Sequence, residues 1–438
     1  MQYLNIFLSS KYKHSALLAG TDFFRGFLSI IFYHKFIKMK NFIIISTIVC
    51  FLSVSCNHSK KSDHNGMWRG VFVTPSHEIP FLFEISGSEN TTVTLINGEE
   101  RIMLEHVYHR NDSIFIPIPA YDAILAGKIE DEIINGELIR LYSDNRVSFT
   151  AQKGNFTRFP VNGTAPSHSL DGKWEITVLK DSAKQVGIFI QKGNNLTGSI
   201  LTLTGDYRYL DGITQGDNFY LSTFGGLTPY LIQGEFQDSD NFTAEFITPG
   251  GSFSFNGKRN PKANLPDAYA LTSLNEGYMS LGFSLPNMNG NSISLSDPKF
   301  ANKVVIVSIL GSWCPNCLDE AAFLAPWYHQ NKQRGVEIVG LAFERKDDFD
   351  YAKKQLSRLI DHYKIGYDIL FAGKVGNEST NKVLPELKKV VSYPTTIFID
   401  KKGTVRKIHT GFNGPATGEY YDEFQKEFNW TVDDLLNE

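Results

Sequence analysis

The sequence predicts an α/β domain over residues 278–438 and, before it, an all-β module over residues 67–260 that is internally duplicated. The α/β prediction comes from a continuous apolar run at 303–310 that leads into a segment with helical spacing. The all-β prediction comes from short alternating runs separated by Asn, Gly and Asp. The chain has 438 residues, which is long enough for two or three hydrophobic cores. Its 43 basic and 47 acidic residues give a net charge of −4, so we expect no nucleic-acid partner.

The first residues of the chain have the composition of a targeting segment rather than of a folded domain. Residues 42–54 form an apolar run after a Met-Lys start, too short for a membrane span, and small residues follow before Cys56. This layout resembles a bacterial lipoprotein signal, in which Cys56 becomes the lipidated first residue. We therefore predict a leader and signal over 1–56, with Met39 as the true start, and a polar tether over 57–66. An uncleaved membrane anchor is the alternative.

The β-rich module shows weak self-similarity. Three anchors recur at an offset of 105 or 106 positions: Trp68 with Trp174, Phe83 with Phe189, and residues 111–114 with 216–219. A nearly constant offset indicates two copies of one unit. The copies could form two small sheets packed together or two halves of one barrel. Both tryptophans are predicted core residues, and we interpret the module as a binding or spacer element.

A linker is predicted over 261–277 because this segment combines prolines with basic residues. Further on, the apolar run at 303–310 has the composition of a strand buried on both faces of a sheet. It is followed at once by Gly-Ser-Trp-Cys-Pro-Asn-Cys, so Cys314 and Cys317 fall where a buried strand turns into a helix. At such a place, unsatisfied backbone N–H groups and the helix dipole favour the thiolate form of the first cysteine.

The spacing of the two cysteines predicts redox chemistry. Cys317 lies on the same helical face as Cys314, one turn away and within disulfide reach. Cys314 would attack a substrate disulfide, and Cys317 would resolve the mixed disulfide. A zinc site is one alternative, but the sequence offers no second Cys or His pair to complete four ligands. A structural disulfide is another, but it would close almost no loop. We therefore expect no metal and no other cofactor.

A second signature is Tyr-Pro-Thr-Thr at 393–396, which opens a β-branched run ending in Asp-Lys-Lys-Gly. Together with the strand, the WCPNC motif and the helix, it resembles the thioredoxin-like superfamily, and more narrowly the TlpA/ResA-type thiol-disulfide oxidoreductases. The resemblance covers about residues 278–438 and implies a central mixed sheet with helices on both faces. It also implies that Pro394 is a cis-proline facing the two cysteines and that the Tyr393 backbone pairs with a substrate chain.

The resemblance assigns roles to three residues of the following helix. Cys314 is the expected nucleophile, Cys317 the expected resolver and Glu320 the active-site glutamate. Glu320 also follows Cys317 by one helical turn, so it could exchange a proton with that thiol. A solvated helix carboxylate is the alternative for Glu320. Trp313 is expected to pack beside the cysteines and to face the substrate.

These observations predict an extracytoplasmic thiol-disulfide oxidoreductase, lipid-anchored on the periplasmic side of a bacterial membrane and acting as a reductase. Its expected partners are a disulfide-containing client protein and an upstream membrane electron donor. Pro315 and Asn316 place no cation between the cysteines, which favours a less oxidising pair. Two alternatives stay open. One is a peroxiredoxin-like thiol peroxidase, although Gly311 stands where those enzymes carry Thr; the other is a non-catalytic binding lipoprotein that uses the β module.

Overall fold

A computed structural model describes residues 64–438, with the exception of residue 155. The predicted signal, its lipidation site Cys56 and nearly all of the tether lie outside the described residues. Over the described part of the chain, no helix has both the length and the apolar character needed to cross a membrane. The described residues belong to one compact unit.

Alternation of apolar and polar residues produces nine strands in the first part of the β-rich region. They are β1 (Gly66–Val73), β2 (Glu78–Ser86), β3 (Thr92–Asn97), β4 (Glu100–Leu104), β5 (Tyr108–Arg110), β6 (Ser113–Ile118), β7 (Ala123–Glu130), β8 (Ile133–Arg140) and β9 (Arg146–Lys153). The sheet is antiparallel, with the order β4-β3-β2-β1-β9-β8-β7-β6-β5. Its inward face buries an aromatic cluster, in which the rings of Phe72 and Phe81 stack with centroids 4.5 Å apart.

A second antiparallel sheet follows. Its strands are β10 (Gly172–Val178), β11 (Lys184–Lys192), β12 (Asn195–Thr202), β13 (Gly205–Asp206), β14 (Leu210–Gln215), β15 (Asn218–Thr223), β16 (Tyr230–Phe236), β17 (Asn241–Thr248) and β18 (Gly251–Arg259). All of them except the short β13 close into a barrel, because β11 pairs with β10 on one side and with β12 on the other. Buried Trp174, Phe219 and Phe242 fill the interior of this barrel.

The two sheets share one feature, which lies around the two recurring tryptophans. The indole of Trp68 donates a hydrogen bond to the carbonyl of His64 (3.0 Å), and the indole of Trp174 donates one to the carbonyl of Leu170 (2.7 Å). Each acceptor therefore lies four residues before its tryptophan, and both tryptophans are fully buried. Of the two arrangements that the sequence left open, the chain adopts separate sheets.

The sequence offset does not carry over to every position. Phe83 lies opposite Trp68, but the residue opposite Trp174 is Gly187 rather than Phe189. A Cβ at Gly187 would lie 2.5 Å from the Phe189 ring, so glycine makes room for that ring. Phe189 therefore lies two positions further along its strand than the position that corresponds to Phe83 in the first sheet.

The C-terminal domain is α/β. Its strands are β19 (Ser284–Pro286), β20 (Ser292–Ser294), β21 (Val304–Leu310), β22 (Val336–Glu344), β23 (Asp368–Lys374), β24 (Thr395–Ile399) and β25 (Val405–Thr410). Its helices are α1 (Pro315–Asn331), α2 (Phe349–Tyr363), α3 (Asn377–Val383) and α4 (Glu419–Asn437). The five-stranded sheet has the order β23-β22-β21-β24-β25, with β21 to β23 parallel and β24 and β25 antiparallel to their neighbours. It is the mixed sheet that the resemblance implies.

Strand β21 is buried at all seven positions, because its side chains alternate between two cores. Val304 and Ile306 belong to a core that also takes in apolar residues of α1, α2 and α4. Val305 and Val307 belong to a core with residues 281–300 and 384–390, on which Val383 at the end of α3 packs. The sheet therefore holds its central strand, and the cysteines that follow it, between two apolar layers.

The segment predicted as a linker packs against its neighbours. Ala263 is buried beside strands β11 and β12 of the second sheet. Thr272 Oγ1 donates a hydrogen bond to the carbonyl of Lys389 (2.6 Å), and the Asn275 N–H donates one to the carbonyl of Glu386 (2.7 Å). This segment therefore attaches the second sheet to the C-terminal domain.

Candidate active site

Cys314 and Cys317 lie at the first turn of α1, directly after strand β21. Cys314 is the N-cap residue with an extended backbone, and Pro315 begins the helix, where its missing N–H costs least. Both cysteines are free thiols, and they are only 5% and 2% exposed. The Cys317 N–H donates a hydrogen bond to Cys314 Sγ (3.3 Å), and Cys314 Sγ donates one to the carbonyl of Tyr393 (3.3 Å).

The two sulfur atoms have different environments. Burial raises the pKa of the Cys317 thiol well above its usual value, and the neighbouring Cys314 raises it further. Cys317 is therefore protonated at neutral pH and needs a base before it can act as a nucleophile. Cys314 is the N-cap residue of the helix, where one backbone N–H, that of Cys317, donates to its sulfur.

Glu320 is a buried carboxylate on the same helix, 2% exposed. Ser308 Oγ donates a hydrogen bond to one of its oxygens (2.6 Å), and Thr396 Oγ1 donates to the other (2.5 Å). These two hydroxyls lie opposite each other in the β21–β24 pairing, so both point at α1. Burial raises the pKa of Glu320 to about 7, although both hydrogen bonds act to lower it. The carboxyl group can therefore either accept or release a proton near neutral pH.

The loop before β24 faces the cysteines. The peptide bond between Tyr393 and Pro394 is cis, the configuration that the resemblance implies. The Tyr393 ring packs against the Trp313 ring with centroids 5.6 Å apart, and its hydroxyl lies 3.3 Å from Thr380 Oγ1. The Trp313 indole donates a hydrogen bond to the carbonyl of Phe343 (2.9 Å), so it is held in place beside Cys314.

A second buried carboxylate holds the loop that leads into the cysteines. Glu344, at the end of β22, accepts hydrogen bonds from the N–H (2.9 Å) and the hydroxyl (2.8 Å) of Ser312. Burial raises the pKa of Glu344, and the hydrogen bonds from Ser312 oppose that change. The next residue, Arg345, lies over the rings of Tyr142 (4.0 Å) and Trp313 (5.7 Å). Tyr142 lies in the turn between β8 and β9, so this turn of the first β sheet reaches the surroundings of the cysteines.

The second β sheet also reaches the first turn of α1, through Arg208. Its guanidinium donates to Asp319 Oδ2 (2.8 Å), to the carbonyl of Pro315 (3.2 Å) and to Glu100 Oε1 (2.6 Å). The Arg208 side chain is 20% exposed, so the contact is largely shielded from water. Burial raises the pKa of Asp319 to about 7, and the attraction of Arg208 only partly offsets it. Over the described residues, no three His, Cys, Asp or Glu side chains are arranged as metal ligands.

Residues 203–206, which comprise the turn after β12 and the short strand β13, lie against the cis-proline loop; we call this segment the cover turn. The carbonyl of Thr204 accepts a hydrogen bond from Ser392 Oγ (2.9 Å). The Asp206 carboxylate accepts one from the N–H of Gly414 (2.7 Å). The cover turn is therefore fixed to the cis-proline loop and to the loop that follows β25.

The structure brings all the predicted site residues of the C-terminal domain together at one end of its sheet, and it adds others that sequence reasoning missed. Ser308 and Thr396 could have been found, because their positions in β21 and β24 place them on the same face as the helix. Glu344 ends a parallel strand next to β21, at the edge where α1 begins. Arg208 and Asp319 carry no such local signal, because their contact joins residues 111 positions apart.

The C-terminal domain has recognisable relatives. Residues 277–408 match the AhpC/TSA family. The thioredoxin-like protein YneN of Bacillus subtilis is 28% identical over 150 residues, which is 34% of this chain and 80% of that protein. The thiol-disulfide oxidoreductase ResA of Bacillus subtilis is 29% identical over 139 residues, 32% of this chain and 69% of that protein.

Among solved structures, a thiol-disulfide oxidoreductase from Bacteroides fragilis is 19% identical. It aligns with 34% of this chain and 99% of its own, with a TM-score of 0.26. The relatives named here match about a third of the chain, so most of the chain has no counterpart in these alignments. Over the C-terminal domain, the predicted resemblance to thioredoxin-like thiol-disulfide oxidoreductases is confirmed.

Proposed function

We propose that this chain is a thiol-disulfide oxidoreductase that reduces disulfides of client proteins through Cys314 and Cys317. One observation carries the proposal: two free thiols share the first turn of a helix, beside a carboxyl group whose pKa lies near 7. The names of the relatives, thiol-disulfide oxidoreductase and thioredoxin-like protein, support the same activity.

The proposed reaction has two exchanges. Cys314 Sγ, as a thiolate, attacks one sulfur of the client disulfide; the client S–S bond breaks, and its other sulfur leaves as a thiolate that takes up a proton. Cys317 then gives its proton to Glu320 and attacks Cys314 Sγ, which releases the first client sulfur. The protein ends with a Cys314–Cys317 disulfide, and two electrons have passed to the client. A thiol or dithiol reductant must return two electrons before the next cycle.

The residues around the thiols fit these roles. Because Cys317 is buried and its pKa is raised, the second attack depends on a proton acceptor within the same site. Glu320 lies one turn beyond Cys317 and is held by two hydroxyls, so its carboxyl group is fixed in position. Tyr393 offers its backbone carbonyl beside Cys314 Sγ, where a client main chain would lie once its sulfur is bonded there. Trp313 would form one wall of that contact.

We further propose that the protein works outside the cytoplasm, anchored by lipid at Cys56, with an upstream membrane electron donor. The signal-like sequence before Cys56 and the polar tether after it support this placement. The reducing direction is supported by Pro315 and Asn316, which supply no cation between the cysteines. Arg208, a cation that contacts the start of the helix, is shared between two carboxylates.

The peroxidase alternative meets a steric obstacle. Such an enzyme would carry Thr at the position of Gly311, three residues before Cys314. A Cβ at Gly311 would lie 2.4 Å from the indole nitrogen of Trp313 and 2.9 Å from the carbonyl of Phe343. The hydrogen bond between that indole and that carbonyl therefore leaves no room for Thr, and this geometry favours disulfide exchange.

A single-turnover reaction tests the proposal. The pre-reduced protein is mixed with insulin without another reductant, and free insulin thiols are counted. We expect one disulfide to be reduced per dithiol, no reduction with Cys314→Ser, and a stable mixed disulfide with Cys317→Ser. Wild-type protein that reduces neither insulin nor a small disulfide, while Cys314 still reacts with iodoacetamide, would contradict the proposed function.

A further inference from the structure

The cover turn, residues 203–206, stands where a client would have to approach Cys314. The hydrogen bond from Ser392 to Thr204 places the backbone of the turn beside the residue that precedes Tyr393. A Cβ at Gly205 would lie 2.1 Å from the side-chain nitrogen of Asn316, between the two cysteines. The backbone of the turn therefore touches the cis-proline loop on one side and the active-site helix on the other.

The cover turn is held at its C-terminal end by charged groups. Asp206 accepts a hydrogen bond from the N–H of Gly414, on the loop that follows β25. Two residues later, Arg208 binds the carbonyl of Pro315 and the carboxylate of Asp319, in the first two turns of α1. Charge-assisted hydrogen bonds shielded from water are strong, so this latch keeps the turn on the site.

The turn and a client main chain exclude each other. A sulfur bonded to Cys314 must lie beside the carbonyl of Tyr393, because that carbonyl already lies 3.3 Å from Cys314 Sγ. A client strand beside this loop would need about 4.8 Å between main chains. The backbone of Thr204 already contacts the neighbouring Ser392. A small disulfide has no main chain to accommodate and needs only an opening for its sulfur.

We propose that the cover turn, latched by Arg208, determines which disulfides reach Cys314: compact small disulfides enter readily, and a protein disulfide enters only when the turn is displaced. The proposal rests on the proposed function for its substrate class. It makes the second β sheet a specificity-determining part of the site, contributed by residues outside the family match at 277–408.

Two substitutions release the turn by different means, and a third serves as a matched control. Arg208→Gln removes the latch. Gly205→Ala places a methyl group against Asn316, at a position where φ is +141°. Gly251→Ala introduces the same methyl group in another turn of the same sheet, where φ is +138° and nothing lies within 4 Å, so it reproduces the backbone strain without the contact.

Each pre-reduced variant is tested in single turnover with insulin and with hydroxyethyl disulfide. For Arg208→Gln and Gly205→Ala, we expect the insulin rate to rise about tenfold and the small-disulfide rate to change less than about twofold, because only the protein substrate requires the turn to open. Gly251→Ala should change neither rate. Unchanged insulin rates, or equal increases with both disulfides, would overturn the proposal.

A labelling experiment separates this proposal from the proposed function. The rate at which Cys314 is modified by a polyethylene-glycol maleimide is compared with the rate for iodoacetamide, with peptide mapping of the label. We expect Arg208→Gln to raise the first rate about tenfold and the second less than about twofold. If the wild-type protein reduces neither disulfide, the proposed function is wrong, but the ratio of the maleimide rate to the iodoacetamide rate still tests the role of the cover turn. An equal ratio in Arg208→Gln and the wild type would contradict that role.

Discussion

Replacing Glu320 by Gln should stabilise the protein increasingly as the pH rises from 4.5 to 8. Glu320 is 2% exposed, and its carboxyl group has no cation among its hydrogen-bond partners, which are Ser308 and Thr396. Burial therefore raises its pKa from 4.5 to about 7. Gln has the same shape and is neutral at every pH, so it removes the ionised form while keeping the packing.

The magnitude follows from the difference between the native and unfolded states. Glu320 keeps its proton to about pH 7 in the native protein and loses it near pH 4.5 when unfolded. The stabilisation that the protonated Glu320 side chain gives to the native state is thus complete below pH 4.5 and is lost as the pH rises through 7. Each pH unit in this interval is worth about 1.4 kcal/mol, so ionised Glu320 destabilises the native state by ~3 kcal/mol at pH 8. Near pH 4.5 the variant should match the wild type within ~1 kcal/mol.

The assay is guanidinium unfolding of the reduced protein at intervals from pH 4.5 to pH 8.5. We expect the difference in free energy of unfolding between Glu320→Gln and wild type to grow by ~3 kcal/mol and to level off above pH 7. Glu423→Gln, which alters an exposed carboxylate on α4, is the control for removing a carboxylate at the surface. A constant difference for Glu320→Gln would refute the assignment of a raised pKa to Glu320.

Two further predictions concern catalysis and targeting. Glu320→Gln should form the mixed disulfide at the wild-type rate but release the client about 100-fold more slowly, because Cys317 loses its proton acceptor. Quenched-flow alkylation measures the two steps separately. Equal release rates for the variant and the wild type would exclude Glu320 as that acceptor. The mature protein should begin at a lipidated Cys56, and Cys56→Ala should release the protein from membranes. Intact-mass analysis checks the position of the mature N-terminus. A mature form that retains residues 1–38 would contradict the prediction.

The C-terminal part of the fold could be predicted from the sequence because its signals are local. An apolar run long enough for one buried strand, two cysteines at its end and helical spacing after them determine where Cys314 and Cys317 lie. Burial of Trp68 and Trp174 was predictable for a similar reason, since each lies in an alternating run that recurs. In each case the residues that interact are close in the sequence or belong to one repeat.

The position of the cover turn beside the active site could not be predicted, because it depends on how the two β sheets pack against the C-terminal domain. Arg208 and Asp319 are unremarkable charged residues until tertiary packing brings them within 2.8 Å. The sequence also gives no sign of the role of Gly205, because its lack of a side chain matters only where the backbone lies against Asn316. The sequence therefore predicted a binding or spacer module, and the structure places part of that module against the helix and the cis-proline loop that surround the dithiol.

The measurement that tests the central claim most directly is the mass of the Cys317→Ser variant after reaction with a client disulfide. Exchange through Cys314 predicts one covalent client per protein, attached at Cys314 in the peptide map and removed by dithiothreitol. Cys314→Ser should carry none. Absence of the adduct in Cys317→Ser, with Cys314 still open to alkylation, would contradict the claim that this dithiol exchanges electrons with client disulfides.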